Sequence, residues 1–346
     1  MGATVLNVAI LGCGKVSRGH IKAWQDRDDA EIVMLVDAAR ENAVETREAA
    51  DLPADIPISE DFREALARDD VNLVDICTPS YCHAQEIADA LAAGKHIVTE
   101  KPTGYNLEEC RFLRYWRWKC PEPKVAVAYS LRYYPVNIEV KRLLREGVIG
   151  QVFAGQFAWN HPFDPDKLGQ RREDMVGYLC DKGGRYIPGS EACGPTHVFD
   201  MARYFMGEAT EVFAYRRPFS TYALAIFEGE ATASMRAGST SDRGLRSPTV
   251  AIVQGTQGTI ITSMSKDNKY TGVICDADGE RVIDASPEAG HGDATRTENI
   301  LAAIREGAPL ICDLEDGIRS SEFLHALWDS YNLGIRVPVH QAGKTG

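Results

Sequence analysis

The sequence predicts an α/β chain in which a doubly wound parallel sheet precedes an α+β domain with a large, open and mainly antiparallel sheet. Three observations support this. The chain has 346 residues, more than one hydrophobic core usually serves. Short, uniformly apolar strands alternate with amphipathic helices up to about Thr99. After about Val125, longer segments alternate between apolar and polar residues.

The first part of the chain alternates between strand and helix patterns. Apolar segments without polar alternation predict strands buried on both faces at Val5–Leu11, Ile32–Val36, Leu73–Cys77 and His96–Thr99. Amphipathic segments predict helices at Val16–Gln25, Glu41–Ala50, Glu60–Arg68 and Ala84–Ala93. We expect these elements to form a first domain over residues 1–124.

The second part begins with a helix predicted at Val136–Glu146. Alternation then predicts strands with one covered face at Val152–Trp159, Glu211–Tyr215, Tyr222–Phe227, Ala231–Arg236, Val250–Gln254 and Thr259–Thr262. Helices at Asn299–Glu306 and Asp316–Leu333 close the chain. We expect a second domain over residues 125–346, with its closing helix at 316–333.

Charge and cysteine content limit the expected partners and compartment. The formal net charge of −12 argues against nucleic acid or an anionic membrane as a partner. No apolar run approaches the roughly 18 residues that span a bilayer. The nine cysteines are scattered without a C-x-x-C pair, which is typical of reduced thiols, so we expect a cytoplasmic protein.

A glycine turn follows the first apolar strand. The segment Gly12-Cys13-Gly14-Lys15-Val16 comes directly before an amphipathic helix, whose N-terminus favours a phosphate. The pattern is G-x-G-x-x-S, because Ser17 stands at the third glycine of the dinucleotide fingerprint. Gly12 allows the turn, and Gly14 lets the backbone approach a pyrophosphate. The segment therefore predicts a dinucleotide site.

Asp37 follows the second strand, 37 − 17 = 20 positions after Ser17. An acidic residue at this spacing accepts a hydrogen bond from the ribose 2′-hydroxyl and repels a 2′-phosphate, which favours NAD over NADP. Arg40 lies close enough to soften that preference. The alternative is that Asp37 is an ordinary turn residue.

Two further loops follow predicted strands, where ligands of doubly wound sheets bind. One carries Thr78, Pro79 and His83, and the other is Glu100-Lys101-Pro102. Pro102 restricts Lys101 to an extended backbone, so the lysine is held at the rim of the predicted cleft. Such a lysine can donate a proton to a substrate oxygen, although most lysines are simply solvated.

Together these motifs resemble the Gfo/Idh/MocA family, named for glucose–fructose oxidoreductase, inositol dehydrogenase and rhizopine catabolism. The likeness continues through Ala128–Pro135, Gly255–Ile260 and Asp316–Pro338, and so covers nearly the whole chain. Glu-Lys-Pro at this position is its most specific match. The resemblance implies a Rossmann domain, an open-sheet domain that often mediates oligomerisation, and hydride transfer between a nicotinamide cofactor and a sugar or polyol carbon.

The resemblance also implies roles for individual residues. Lys101 would lie near the reacting hydroxyl, and His197 would act as general base. The cofactor site would comprise Gly12, Cys13, Gly14, Lys15, Val16, Asp37, Thr78, Pro79, His83, Glu100 and Lys101. Substrate contacts would come from Arg132, Trp159, Glu191, Cys193 and His197. A homo-oligomer, dimer or tetramer, would follow by analogy alone.

The sequence departs from the family at Cys193, where an aspartate is usual four residues before His197. Glu191 is a candidate replacement. Three alternatives stay open for Cys193: a packing residue in a working dehydrogenase, part of a site that has lost redox turnover or uses NAD for another chemistry, or a zinc ligand together with His197 and Cys180. The expectation is that no metal is bound.

The function predicted from the sequence is therefore an NAD-dependent dehydrogenase acting on the CH–OH group of a sugar, polyol or sugar derivative. One alternative is redox-assisted glycoside cleavage with bound NAD. The other is a regulator that binds dinucleotide and sugar without catalysis.

Overall fold

The structure is a computed structural model that describes residues 5–162, 196–217, 220–240, 250–264, 269–285 and 292–340. The chain divides into two compact units. The first comprises Met1–Ser130 and Gly290–Ile318, and the second comprises Leu131–Ala289 and Arg319–Gly346.

A six-stranded parallel sheet forms the centre of the first unit, in the order β3-β2-β1-β4-β5-β6. Its strands are β1 (Leu6–Leu11), β2 (Ala30–Val36), β3 (Ile58–Ser59), β4 (Leu73–Ile76), β5 (His96–Thr99) and β6 (Val125–Val127). The order reverses between β1 and β4, and doubly wound folds bind their ligands beyond the carboxyl ends of the strands at such a switch point.

Helices cover both faces of this sheet. They are α1 (Ser17–Gln25), α2 (Arg40–Ala49), α3 (Phe62–Ala67), α4 (Ser80–Ala92) and α5 (Leu107–Lys119). Along β1, Ala9 and Leu11 lie in one core cluster, while Val8 and Ile10 lie in the other. Burial on both faces explains why the strand has no polar alternation.

The second unit contains a nine-stranded sheet in the order β14-β13-β12-β11-β7-β10-β9-β8-β15. Among the described strands of this second sheet, only β7 and β10 pair in parallel, and the other neighbours are antiparallel. The strands are β7 (Val152–Pro162), β8 (Ala209–Arg217), β9 (Ser220–Phe227), β10 (Thr232–Thr240), β11 (Val250–Gly255), β12 (Gly258–Met264), β13 (Tyr270–Asp276), β14 (Gly279–Val282) and β15 (Val337–Pro338). The expected fold class is confirmed.

One face of this sheet is covered and the other is open. Helices α6 (Pro135–Arg145) and α7 (Thr196–Met206) pack on the covered face. Alternate residues of β8 and β9, such as Val212 and Ala225, are buried there. Residues between them are exposed on the open face, which accounts for the period-two pattern: Phe213, Tyr215, Tyr222 and Leu224.

The chain returns to the first unit near its end, through α8 (Asp293–Glu306) and the start of α9 (Leu314–Leu333). The boundary expected at residues 124 and 125 put this segment, and β6, in the second domain. The segment joins the first unit because Ile300 and Leu301 share a core cluster with Ile21 and Trp24 of α1. In the described part of the chain, no helix is long and apolar enough to cross a membrane.

Phe323 on α9 provides a test of the second unit's core. Its ring is 1% exposed and lies 6.2 Å from Phe199 and 6.4 Å from Phe227, centroid to centroid. We expect Phe323→Ala to lower the free energy of unfolding by about 3–5 kcal/mol, measured by urea denaturation. Leu333→Ala, on the same helix at 63% exposure, is the matched control and should change it by less than about 0.5 kcal/mol. Equal losses in both variants would contradict this packing.

Candidate functional site

The turn after β1 requires glycine at its first position. Gly12 has a φ of +89°, and a Cβ there would lie 2.6 Å from the Thr78 nitrogen and 2.7 Å from the Cys77 carbonyl. At Gly14, by contrast, an added Cβ meets nothing within 4 Å. The buried Ser17 hydroxyl donates a 2.8 Å hydrogen bond to the Gly14 carbonyl. Serine therefore occupies the third glycine position and braces the turn.

The N-terminus of α1 faces outward from this turn. Lys15 and Val16 are exposed there, and Val16, at the helix N-cap, makes no side-chain capping hydrogen bond. The backbone N–H groups of a helix's first turn and the positive end of its dipole attract an anion. The turn can therefore hold a phosphate through its backbone.

Asp37 is fixed by the same turn. One carboxylate oxygen accepts a 2.8 Å hydrogen bond from the backbone N–H of Cys13. The other accepts from the backbone N–H of Ala39 at 2.9 Å and from the Asn42 side chain at 3.1 Å. Burial and the Asp37 charge raise the pKa of the Cys13 thiol to about 12, so Cys13 contributes its backbone and its packing.

The buried side chain of His83 contacts the backbone of the loop after β4. One ring nitrogen lies 2.8 Å from the Pro102 carbonyl oxygen and the other 2.9 Å from that of Thr78. Burial lowers the pKa of this histidine. His83, which we expect in the cofactor site, links the loop after β4 to the loop after β5.

Thr78 also reaches into the interior. Its hydroxyl donates a 2.5 Å hydrogen bond to the buried Glu86 carboxylate on α4. Burial raises the pKa of Glu86 to about 7, against the lowering effect of that hydrogen bond. Pro79 precedes α4 with a φ of −58°, and the helix starts at Ser80 rather than at the expected Ala84. Proline presets the backbone for this early start.

Lys101 lies in the loop after β5, with its side chain 15% exposed. Its Nζ is 3.9 Å from Glu100 Oε2, and its backbone N–H donates to the same oxygen at 3.2 Å. Although burial acts to raise it, the pKa of Glu100 is held well below its usual range by a hydrogen bond from His20 and the charge of Lys101. Glu100 is therefore a carboxylate that fixes Lys101.

A buried polar cluster behind this loop escaped the sequence analysis. His20 of α1 lies between Asp75 of β4, at 2.8 Å, and Glu100, at 3.2 Å. The Trp24 indole donates to the second Asp75 oxygen at 2.7 Å. The available signal was an aspartate inside the otherwise apolar strand Leu73–Cys77.

His20, Asp75 and Cys77 also offer three ligand-type atoms within 4.8 Å of one another. These atoms already contact each other, at 2.8 Å for His20 and Asp75 and 3.3 Å for His20 and Cys77. Burial raises the pKa of Cys77 to about 12, which keeps its thiol protonated. In this structure the three side chains form a buried hydrogen-bonded cluster.

The second unit carries the other expected site residues. His197 is half-buried in the first turn of α7, and Trp159 is half-buried in β7 against the core. Arg132 is 2% exposed, and its guanidinium binds both Asp200 oxygens at 2.7 and 2.8 Å. This bidentate contact anchors α7 through Asp200. Glu191, Cys193 and Cys180 lie outside the described residues.

Family comparison decides which group of proteins shares this architecture. A model described as "Oxidoreductase family, NAD-binding Rossmann fold" matches residues 6–114. A second, "Oxidoreductase family, C-terminal alpha/beta domain", matches residues 141–339. The chain belongs to the GFO_IDH_MocA oxidoreductase family. The resemblance inferred from its motifs is confirmed.

Curated relatives in this family include sugar dehydrogenases. D-apiose dehydrogenase of Paraburkholderia graminis is 31% identical over 206 residues, which are 60% of this chain and 51% of that protein. Levoglucosan dehydrogenase of Pseudarthrobacter phenanthrenivorans is 30% identical over 229 residues, 60% of this chain and 53% of that protein. The chain thus spans about half the length of the curated relatives it matches.

Solved structures share the fold over nearly the full chain. A levoglucosan dehydrogenase in complex with NADH and levoglucosan has a TM-score of 0.83 at 22% identity, covering 98% of this chain and 100% of that one. An oxidoreductase from Agrobacterium radiobacter in complex with NAD+, L-tartaric acid and magnesium has a TM-score of 0.81 at 21% identity, covering 97% and 99%. At these identities the likeness supports the architecture alone.

The close approach at Gly12 gives a direct test of the turn. We expect Gly12→Ala to lower the free energy of unfolding by about 2 kcal/mol or more, because alanine is strained at this φ and its Cβ meets backbone atoms. Gly14→Ala is the matched control and should fold within about 0.5 kcal/mol of the wild type. Thermal denaturation measures both variants, and equal stability of the two would contradict this geometry.

Proposed function

We propose that this member of the family is an NAD-dependent oxidoreductase that transfers a hydride between nicotinamide and a hydroxyl-bearing carbon of a sugar, polyol or sugar derivative. The observation that carries the proposal is that one unit holds both the glycine turn with Asp37 and a lysine fixed by Glu100. The relatives named for D-apiose, levoglucosan and inositol support a polyhydroxylated substrate.

The residues of the turn fit the cofactor. Gly14 leaves space beside the backbone for a pyrophosphate, with Lys15 and Val16 exposed next to it. Asp37 presents an oriented carboxylate to a ribose 2′-hydroxyl, which favours NAD over NADP. When bound, NAD+ supplies the hydride acceptor at carbon 4 of its nicotinamide. Cys13, Thr78, Pro79 and Glu100 complete the proposed cofactor site, and His83 supports it from behind.

Lys101 and His197 divide the proton chemistry in this proposal. Lys101 donates a hydrogen bond to the substrate oxygen, and His197 accepts the hydroxyl proton as the carbon is oxidised to a carbonyl. The alcohol thereby loses one hydride and one proton. Trp159, Glu191 and Cys193 remain proposed substrate contacts, with Glu191 replacing the aspartate usual at Cys193. Arg132 serves them indirectly, through α7.

A second candidate is glycoside cleavage assisted by transient oxidation. One relative, a "Glycosyl hydrolase family 109 protein" of Shewanella pealeana, is 25% identical over 168 residues, 45% of this chain and 35% of that protein. In this reaction a hydride is removed from the sugar, the leaving group departs by elimination, water adds in its place, and the hydride then returns to the sugar. No net NADH accumulates, so release of p-nitrophenol from glycosides distinguishes it from a dehydrogenase.

We also propose a division of labour between the units, in which the first holds the nucleotide and the second binds substrate and self-associates. The open sheet face of the second unit exposes large apolar side chains, including Phe213, Tyr222 and Leu224. Such a patch favours a homo-oligomer, dimer or tetramer. The seven cysteines in the described ranges are free thiols, which favours the cytoplasm.

Dinucleotide selectivity tests the role of Asp37. Titration of the four nicotinamide dinucleotides, followed by quenching of the five tryptophans, should show NADPH binding at least about tenfold more weakly than NADH. Asp37→Ser should weaken NADH about tenfold by removing a charged acceptor, while the exposed control Asp28→Ser leaves it unchanged. Binding of no dinucleotide, with none found already bound by mass spectrometry, would exclude the cofactor assignment.

The role of Lys101 is tested by kinetics. With NAD+ and myo-inositol, levoglucosan or D-apiose, NADH absorbance reports the rate, and Lys101→Met should lower kcat at least about 100-fold. The NADH Kd should stay within about threefold, because the cofactor turn is untouched. The exposed Lys22→Met is the control. Full activity in Lys101→Met would refute the assignment.

A further inference from the structure

We propose that His20 and Asp75 form a buried positioning pair that holds Glu100, and through it Lys101, in the geometry and charge state that the reaction requires. The inference rests on the proposed role of Lys101. It adds two residues that lie behind the site and belong to neither the glycine turn nor the Glu-Lys-Pro segment.

Hydrogen bonds run continuously from the core to the loop after β5. Trp24 donates to one Asp75 oxygen at 2.7 Å, and His20 Nδ1 lies 2.8 Å from the other. His20 Nε2 lies 3.2 Å from Glu100 Oε1. Glu100 Oε2 in turn accepts from the Lys101 backbone at 3.2 Å and lies 3.9 Å from its ammonium. The two oxygens of one carboxylate thus join His20 to Lys101.

The charges around His20 favour an imidazolium. Its ring faces the Asp75 carboxylate and Cys77 thiol from β4 and its end, the Glu100 carboxylate from the loop after β5, and the buried Arg296 from α8. A ring with a carboxylate at each nitrogen donates twice only when both nitrogens carry protons. Burial and Arg296 act to lower the pKa of His20, but Asp75 and its hydrogen bond leave it well above the ordinary value.

The His20–Asp75 pair has an electrostatic effect on Glu100 that apolar residues in the same place would not have. Buried ion pairs seldom stabilise a fold more than well-packed hydrophobic residues do. Here the His20–Asp75 pair also contacts Glu100 in the loop after β5, and Glu100 is the carboxylate beside Lys101. The positive imidazolium offsets part of the negative charge of Glu100, which lies 3.9 Å from the Lys101 ammonium.

His20→Gln tests the pair, because glutamine fills similar space but is neutral and cannot serve both carboxylates. His96→Gln is the matched control, since His96 lies at the other end of β5, where it accepts a 3.0 Å hydrogen bond from the Lys124 backbone. The pH profile of kcat is measured for both with NAD+ and whichever of myo-inositol, levoglucosan or D-apiose the wild type oxidises fastest.

We expect His20→Gln to lower kcat about tenfold and to move the alkaline limb of the profile upward by about half a pH unit or more, because no imidazolium then offsets the Glu100 charge beside the Lys101 ammonium. The NADH Kd should stay within about threefold, and His96→Gln should match the wild type. In a Lys101→Met background, His20→Gln should cost no more than about a further twofold. An unmoved alkaline limb overturns the proposal, whatever happens to kcat.

If His20→Gln does not fold, nitrogen NMR of the wild type still decides the question. One of the eight histidine rings should keep both ring protons well above the pH at which an ordinary histidine loses one, and loss of a proton from every ring at that ordinary pH overturns the proposal. Full activity in Lys101→Met would instead contradict the proposed function itself. The two failures are therefore distinguishable.

Discussion

The backbone of β1 and the backbone after β4 meet at Gly12 with no room for a side chain. A Cβ there would come within 2.6 Å of the Thr78 nitrogen, so the turn between β1 and α1 rests directly on the loop between β4 and α4. Two neighbouring strands of the switch point are thereby locked together at their carboxyl ends. The backbone N–H of Cys13, in that turn, orients Asp37. The His83 ring contacts the carbonyl oxygens of both Thr78 and Pro102, and so joins the loop after β4 to the loop that carries Lys101.

In the second unit, buried polar contacts hold the helix that carries His197. Helix α7 begins beside His197 and is anchored one turn later, where Asp200 binds Arg132 and accepts a 2.6 Å hydrogen bond from Ser320 of α9. The same serine accepts from Arg203 at 2.6 Å. Charge-assisted, bidentate contacts of this kind fix orientation as well as position. These contacts hold the backbone of the helix that carries His197.

Local patterns were sufficient for most elements of the first unit. The span of β5 agrees residue for residue, and β1 and β4 differ from expectation by one residue at one end. Helix α5 received no predicted bounds, although Asn106 caps it and Glu108 and Glu109 lie in its first turn, because its apolar residues are few and mixed with arginines. Strand β6 has only three residues, too few to show a period.

What the sequence could not provide were the long-range relations of the site. The pairing of His20 with Asp75 joins residues 55 positions apart, and the Arg132 fork joins residues 68 apart. The periodicity of a sequence gives information only on residues that are close along the chain. It therefore cannot distinguish an arginine that forms a buried ion pair from one that binds a ligand. The motif glycines and Asp37 were recognisable because their spacing follows from the strand, turn and helix in between.

The return of α8 to the first unit has a consequence for synthesis. Ile21 and Trp24 of α1 pack in a cluster that includes Ile300 and Leu301. On the ribosome, the nucleotide-binding unit therefore remains incomplete until residue 318 has emerged, by which time residues 131–289 of the other unit have been made. The sheet of the second unit is thus an insertion in the sequence of the first unit. The apolar face of α1 can pack against Ile300 and Leu301 only after nearly the whole chain has been synthesised.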